Sequence, residues 1–162
     1  MSSKQEIILL GAGGHCKSCI EVILGHSRYS ILGIIDKDDS DTKNLLEYDI
    51  LGTDKDLESF IKRCSNVLIT IGQIKSPELR VSLFDRAKSL GFNFPVIESQ
   101  FSYISKSAQI GEGTILLHDS LVNTSVKLGV NCIINTKALV EHDAEIGSHC
   151  HVSTGAIING CV

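Results

Sequence analysis

The sequence predicts two kinds of structure in one chain, an α/β unit followed by an all-β unit built as a parallel β-helix. Three observations lead there. A strand, a glycine-rich turn and a helix follow one another near the start, in EIILL, GAGGH and CKSCIEVIL. Strand-like and helix-like segments then alternate as far as residue 98. From Ser102 onward the chain falls into blocks of six, beginning SYISKS, AQIGEG and TILLHD. All ten complete blocks carry Ile, Leu or Val at the third place, from Ile104 through Ile134 to Ile158.

The first unit, expected over residues 1–98, reads as a small parallel sheet with helices on both faces. Residues 6–10 form a buried strand, and Cys16, Cys19, Ile20 and Ile23 recur at helical spacing behind it. Cys16 and Cys19 have the shape of half a zinc site, but no second pair accompanies them. They read as helix packing, and no metal is expected. The strand ILGIID ends at Asp36, near the separation at which dinucleotide-type folds hold a ribose hydroxyl. Cys16 stands where the last glycine of GxGxxG would be, so two readings of the turn stay open. It is a phosphate cradle of backbone N–H groups at a helix start, or a plain tight turn.

Farther on, Thr53 or Asp54 can cap the helix DLESFIKR, and NVLITIG is a strand ending at Gly72. Ser76 and Pro77 open the helix ELRVSLFDRAKSL, Gly91 stops it, and FNFPVI makes a fourth strand. Ligands bind such sheets at the carboxyl ends of the strands. Gly11, Gly13, Gly14, His15, Asp36 and Gly72 all fall there.

The second unit is expected over residues 99–162. A period of six fits neither a helix nor a simple strand, so it marks a repeat. Three blocks make one coil of three short strands. The third-place aliphatics point into a triangular core, and the small first-place residues, Cys132 and Cys150 among them, fit where the chain bends. Gly111, Gly129 and Gly147, with Asn123, Asn135 and Asn159, hold fourth places, where a positive φ is expected. Coils of this kind leave flat aliphatic faces that a homotrimer would bury.

Composition narrows the function. Fifteen Lys and Arg face nineteen Asp and Glu, for a net charge of −4, with no basic cluster. Nothing argues for nucleic acid. Apolar runs are short and MSSKQE is polar, so neither a membrane span nor a signal peptide is expected, and the cytoplasm is the expected place. Among six histidines, His142 stands between Glu141 and Asp143 at the turn end of its block. Two readings remain open: a general base whose ring a flanking carboxylate orients, and a solvated turn histidine. His151 occupies a second place and points outward, while His118 and His149 read as solvated turn residues. No nucleophile motif suggests a covalent acyl-enzyme.

GAGGH, IID, ITIG, the hexads and INTKALVEHDAEIGSHCHVSTGA together resemble the NeuD/PglD-type sugar acetyltransferases of the hexapeptide-repeat acyltransferase superfamily, over essentially the whole chain. The resemblance implies a left-handed β-helix, a homotrimer, acetyl-CoA as donor and a Rossmann-like domain that binds a nucleotide-sugar. It makes His142 the catalytic base with Glu141 or Asp143 beside it, and places Asn135 near the acceptor amine. His151 and Gly155 fall to acetyl-CoA. Gly11, Gly13, Gly14, His15, Asp36 and Gly72 fall to the nucleotide-sugar. The implied reaction is acetylation of an amino-sugar, a UDP-4-amino-sugar above all, in bacterial-type surface glycan or sialic-acid-like sugar synthesis. Sialic acid O-acetylation and a non-catalytic nucleotide-sugar-binding trimer are the alternatives. Two departures stand out. ESQFS replaces the HPSA-like segment, and the hexads end at Val162, where the family continues through further coils. The expectation is an incomplete acetyl-CoA groove and little or no activity for these 162 residues.

Overall fold

The structure, a computed structural model, describes residues 4–25, 28–37 and 43–162. It divides into two compact units, Met1–Pro95 and Val96–Val162.

The first unit holds β1 (Gln5–Leu10), β2 (Tyr29–Asp36), β3 (Asn44–Leu45), β4 (Tyr48–Thr53) and β5 (Val67–Ile69), in the sheet order β3-β4-β2-β1-β5. Every pairing is parallel except β3 with β4. The β3–β4 hairpin was not expected. Its second strand is mostly half-buried, so no apolar alternation announces it, and it turns through Leu46 at φ 54°. Ile7–Leu10, Ile34, Ile35 and Val67–Ile69 are fully buried, and α1 (Gly14–Leu24) adds Cys16, Cys19, Ile20, Val22 and Ile23 to the core. Burying each large aliphatic contributes about 1.5–3 kcal/mol. Burial pushes the Cys16 thiol up to about 11 and raises Cys19 as well, so both act as neutral apolar fillers.

The helix expected over DLESFIKR is shorter. A 3₁₀ turn, Asp54–Asp56, leads into the single turn α2 (Leu57–Phe60). Thr53 is its cap: its N–H and its hydroxyl each donate to Asp56 Oδ2 at 2.9 Å. The third helix, α3 (Glu78–Ser89), starts where expected, with Glu78 N–H donating to Ser76 Oγ at 3.3 Å. Gly91 ends it at φ +90°, a conformation that favours glycine, and its N–H returns to the Lys88 carbonyl at 3.0 Å. FNFPVI is not a strand of this sheet. Asn93 makes only an isolated bridge with Asn66, and β6 (Ile97–Glu98) pairs with β9 (Ile115–Leu116) of the second unit.

That unit is a parallel β-helix. Three more pairs of strands complete its first coils: β7 (Tyr103–Ile104) and β8 (Gln109–Ile110), β10 (Leu121–Val122) and β11 (Lys127–Leu128), β12 (Ile133–Ile134) and β13 (Leu139–Val140). They continue as β14 (Glu145–Ile146), β15 (His151–Val152) and β16 (Ile157–Ile158). The three sheets run β16-β13-β10-β7, β14-β11-β8 and β15-β12-β9-β6. Partners are one coil apart throughout, as in Ile115 with Ile133 and Ile133 with His151. Leu116, Val122, Leu128, Ile134, Val140 and Val152 form the core, with first-place Val126, Ala138 and Ala144 at its corners.

One expectation about the turns is corrected. The left-handed position is the sixth place of every block after the first, not the fourth: Gly113, Asp119, Ser125, Asn131, Lys137, Asp143, His149, Gly155 and Cys161 all have φ between 54° and 71°. Two of the fourth-place glycines, Gly111 and Gly129, are there for space. A Cβ on Gly111 would fall on the backbone of Gly129 and Val130, and one on Gly129 would fall on Gly147 and Ser148. Stacked coils leave no room for a side chain at that corner.

Candidate functional sites

The first site is a cavity of about 680 Å³ at the carboxyl ends of β1, β2 and β5. It is lined by the turn Gly11–His15, by Asp36, Lys37 and Asp54, and by Ile71, Gly72, Ile74 and Leu79. Gly11 has φ +109°, and a Cβ there would fall on the Ile71 side chain, so the turn needs glycine. Its N–H donates to the Ile35 carbonyl at 2.8 Å, and the Thr70 hydroxyl donates to its carbonyl at 2.7 Å. Ala12 N–H donates to Asp36 Oδ1 at 3.1 Å. Asp36 therefore splices the turn to β2 while lining the cavity. Gly13 is the N-cap of α1 without a side-chain cap bond. A Cβ at Gly13 or Gly14 would meet nothing within 4 Å. The helix start thus presents backbone N–H groups across open space, the arrangement that receives an anion.

Gly72 lies beside His15, with the His15 Cβ 3.4 Å from where a Gly72 Cβ would sit. Every residue assigned from sequence to the nucleotide-sugar lines this one cavity. Two neighbours were missed. Asp54 adds a second carboxyl, raised first by burial; Arg86 opposes that rise and Asp36 adds to it. Arg80 of α3 is 1% exposed, and its Nη1 donates to the Ile69 carbonyl at 2.9 Å and the Ile71 carbonyl at 2.6 Å. It clamps the segment that forms the cavity wall. Its signal was readable: Arg80 shares the buried stripe of Leu83, Phe84 and Ala87, where an apolar residue belongs.

The second site is on the β-helix. His142 Nδ1 is 2.9 Å from Asp143 Oδ2. Glu141 does not hold the ring. Its Oε2 accepts from Asn123 Nδ2 at 2.7 Å and from His142 N–H at 3.3 Å, so it steadies the backbone beneath the imidazole. With Nδ1–H donated to Asp143, Nε2 keeps its lone pair and can take a proton. Gly160 was missed, and it shapes the space here. A Cβ on it would stand 2.8 Å from both Cε1 and Nε2 of His142. Only glycine leaves that edge of the ring open.

Asn135 and His151 form a separate pair, Nδ2 to Nε2 at 3.0 Å, with Asn135 Oδ1 accepting from Thr136 N–H at 2.8 Å. Gly155 closes the same corner, donating to the Thr136 carbonyl at 2.9 Å from φ +67°. Asn135 follows β12 and His142 follows β13, so the two groups stand on turns of different sheets. Among the histidines expected to be solvated, His118 Nδ1 lies 2.6 Å from Ser99 Oγ, and His149 Nδ1 lies 3.0 Å from Asn131 Nδ2. Both are held in place.

No helix among the described residues is long and apolar enough to cross a membrane.

Comparison with known proteins follows the same two-part division. The family described as the PglD N-terminal domain matches residues 6–87, half of the chain. A mutant perosamine N-acetyltransferase from Caulobacter crescentus, in complex with CoA and GDP-perosamine, is similar at 25% identity and TM-score 0.88. The match covers 96% of this chain and 72% of that one. The acetyltransferase domain of PglB from Neisseria gonorrhoeae FA1090, in complex with acetyl coenzyme A, is similar at 27% identity and TM-score 0.87, covering 97% and 74%. WeeI from Acinetobacter baumannii AYE shares the fold at 24% identity and TM-score 0.78, covering 97% and 73%. No curated protein matches the sequence. The chain belongs to the PglD N-terminal domain family, and it joins that Rossmann-like unit to the left-handed parallel β-helix of the hexapeptide-repeat sugar acetyltransferases.

Proposed function

We propose that this protein transfers an acetyl group from acetyl-CoA to the amino group of a nucleotide-linked amino-sugar. The observation that carries the reading is the His142–Asp143 pair at 2.9 Å, with Nε2 facing the space that Gly160 leaves. Asp143 accepts Nδ1–H and steadies the imidazolium that forms. Nε2 takes a proton from the sugar amine as its nitrogen attacks the thioester carbonyl. The tetrahedral adduct collapses, the C–S bond breaks, and CoA leaves as the thiol once a proton reaches its sulfur. Asn135 holds the acceptor, and His151 with Gly155 receives acetyl-CoA. The glycine turn and Asp36 hold the diphosphate and ribose. Uridine is the base and a 4-amino-sugar the acceptor.

The site is shared between copies in a homotrimer. The placement of His142 and Asn135 on turns of different sheets supports this, because a neighbouring copy can bring the two corners together.

The test is thiol release from acetyl-CoA across a panel of UDP- and GDP-linked amino-sugars, with free sialate as a contrast. Release that depends on an amino-sugar nucleotide and is lost in His142→Ala is expected. Turnover of sialate alone overturns the reading. Binding of the nucleotide with none of acetyl-CoA would make the protein a binding module instead.

A further inference from the structure

The coil register does more at the second site than build a base. Cys161 stands one coil beyond Asp143, and both occupy sixth places with the same left-handed backbone, φ 61° and 60°. Cys161 N–H donates to the His142 carbonyl at 3.0 Å, which ties the two turns together. A ring nitrogen of His142, a carboxylate oxygen of Asp143 and Cys161 Sγ consequently lie within 4.8 Å of one another, all on exposed side chains. We propose that these three side chains form a binding site for a thiophilic divalent cation of the zinc class.

The donor set fits. Imidazole nitrogen, carboxylate oxygen and thiolate sulfur are the three ligand types zinc takes. With bonds of about 2.0–2.3 Å, ligand atoms around a tetrahedral zinc stand roughly 3.4–3.6 Å apart. Nδ1 and Oδ2 already converge on one shared proton at 2.9 Å, so a cation can replace that proton with a small outward rotation of both. The thiol is free and at the surface, unlike Cys16, Cys19, Cys64 and Cys132, which are buried. Binding converts Cys161 from thiol to thiolate and releases one proton, so affinity falls as pH falls. A fourth position stays open to water.

The site stands whether or not the protein transfers acetyl groups. Its consequence rests on the acetyl-transfer reading. A cation in this position takes Asp143 away from the imidazole and withdraws electron density from the ring, so the base is switched off while the cation is bound.

Cobalt(II) is the probe, titrated into the full chain under reducing conditions, with the near-ultraviolet thiolate-to-cobalt charge-transfer band as readout. The band should saturate at one cation per chain, disappear on adding zinc, and be absent in Cys161→Ser. Asp143→Asn should weaken cobalt binding on the order of 10-fold or more, the scale of losing a supporting ligand group. Cys150→Ser should leave the band intact. No band, or a band that persists in Cys161→Ser, overturns the site. In the acetyl-transfer assay, zinc should inhibit the parent but not Cys161→Ser, whose rate without metal equals the parent's. A cobalt band without acetyl transfer sinks the functional reading and leaves the cation site standing.

Discussion

The two units place reactive groups by different means. In the first, the cavity wall is assembled from segments far apart in sequence. Asp36 reaches the Ala12 N–H, the Thr70 hydroxyl reaches the Gly11 carbonyl, and Arg80 reaches the Ile69 and Ile71 carbonyls. Each bond is a separate invention, and removing one loosens one wall. In the β-helix, position is set by counting. Asn123 braces Glu141, Gly160 lies under His142 and Cys161 stacks on Asp143, each one coil apart. The lesson is that a repeat converts sequence distance into spatial contact, whereas an α/β sheet needs specific polar ties.

That contrast can be broken or sharpened by mutation. The largest effect belongs to His142→Ala, which should lower acetyl transfer by roughly 10²–10⁴-fold, the range for losing a general base. Nucleotide binding, measured by calorimetry, should be unchanged. Asp143→Asn should cost less, because the base remains. An equally fast His142→Ala protein would end the assignment.

Next is Ile134→Ala, buried in the coil core. It should destabilise the β-helix by about 2–5 kcal/mol, read from urea unfolding, because the stacked column cannot collapse around the gap. If counting alone places the second site, the same variant should also lower turnover without altering nucleotide affinity.

Gly13→Val should abolish nucleotide binding, since the branched side chain fills the open space in front of α1. Arg80→Met keeps the volume but drops both carbonyl bonds, and should weaken nucleotide binding by roughly 10-fold, about the worth of one buried bond to a charged group. Undiminished binding by both would show that the polar ties do not shape the cavity.

A last effect is on pH. Cys16 is raised from 9.0 to about 11 by burial, so the folded state holds its proton more tightly than the unfolded chain does. The stability this contributes is complete below pH 9 and is lost as pH rises towards 11. The unfolding free energy from urea titrations should fall across that window, by up to about 3 kcal/mol in total. Cys16→Ala should reduce the slope, leaving the part that buried Cys19 contributes.

Much of the architecture was legible because hydrophobic period survives any choice of surface residue. The third-place aliphatics announced the coils, and GAGGH with Asp36 announced the cavity. The φ assignment went wrong at Gly111 and Gly129, because a glycine advertises freedom and close packing with the same letter. Arg80 could be read from the apolar stripe it shares on α3, but the β3–β4 hairpin lacks the buried-exposed alternation that marks a strand. Gly160, Asn123 and Cys161 were within reach of addition and subtraction by one coil length from His142 and its neighbours, a step that needs the register to be trusted first.

The register also decides what kinds of evolutionary change each unit can absorb. A residue inserted between β14 and β15 would push every later aliphatic off its column and turn the Cys161 and Gly160 partnerships onto the wrong neighbours. Selection can therefore lengthen the β-helix by whole coils, or bulge a corner outward, but cannot shift it by one. The surface turn between β3 and β4 carries no such phase, and an insertion there moves nothing downstream out of step. Length variation among descendants of this sequence should gather in the first unit's loops and come in coil-sized steps in the second.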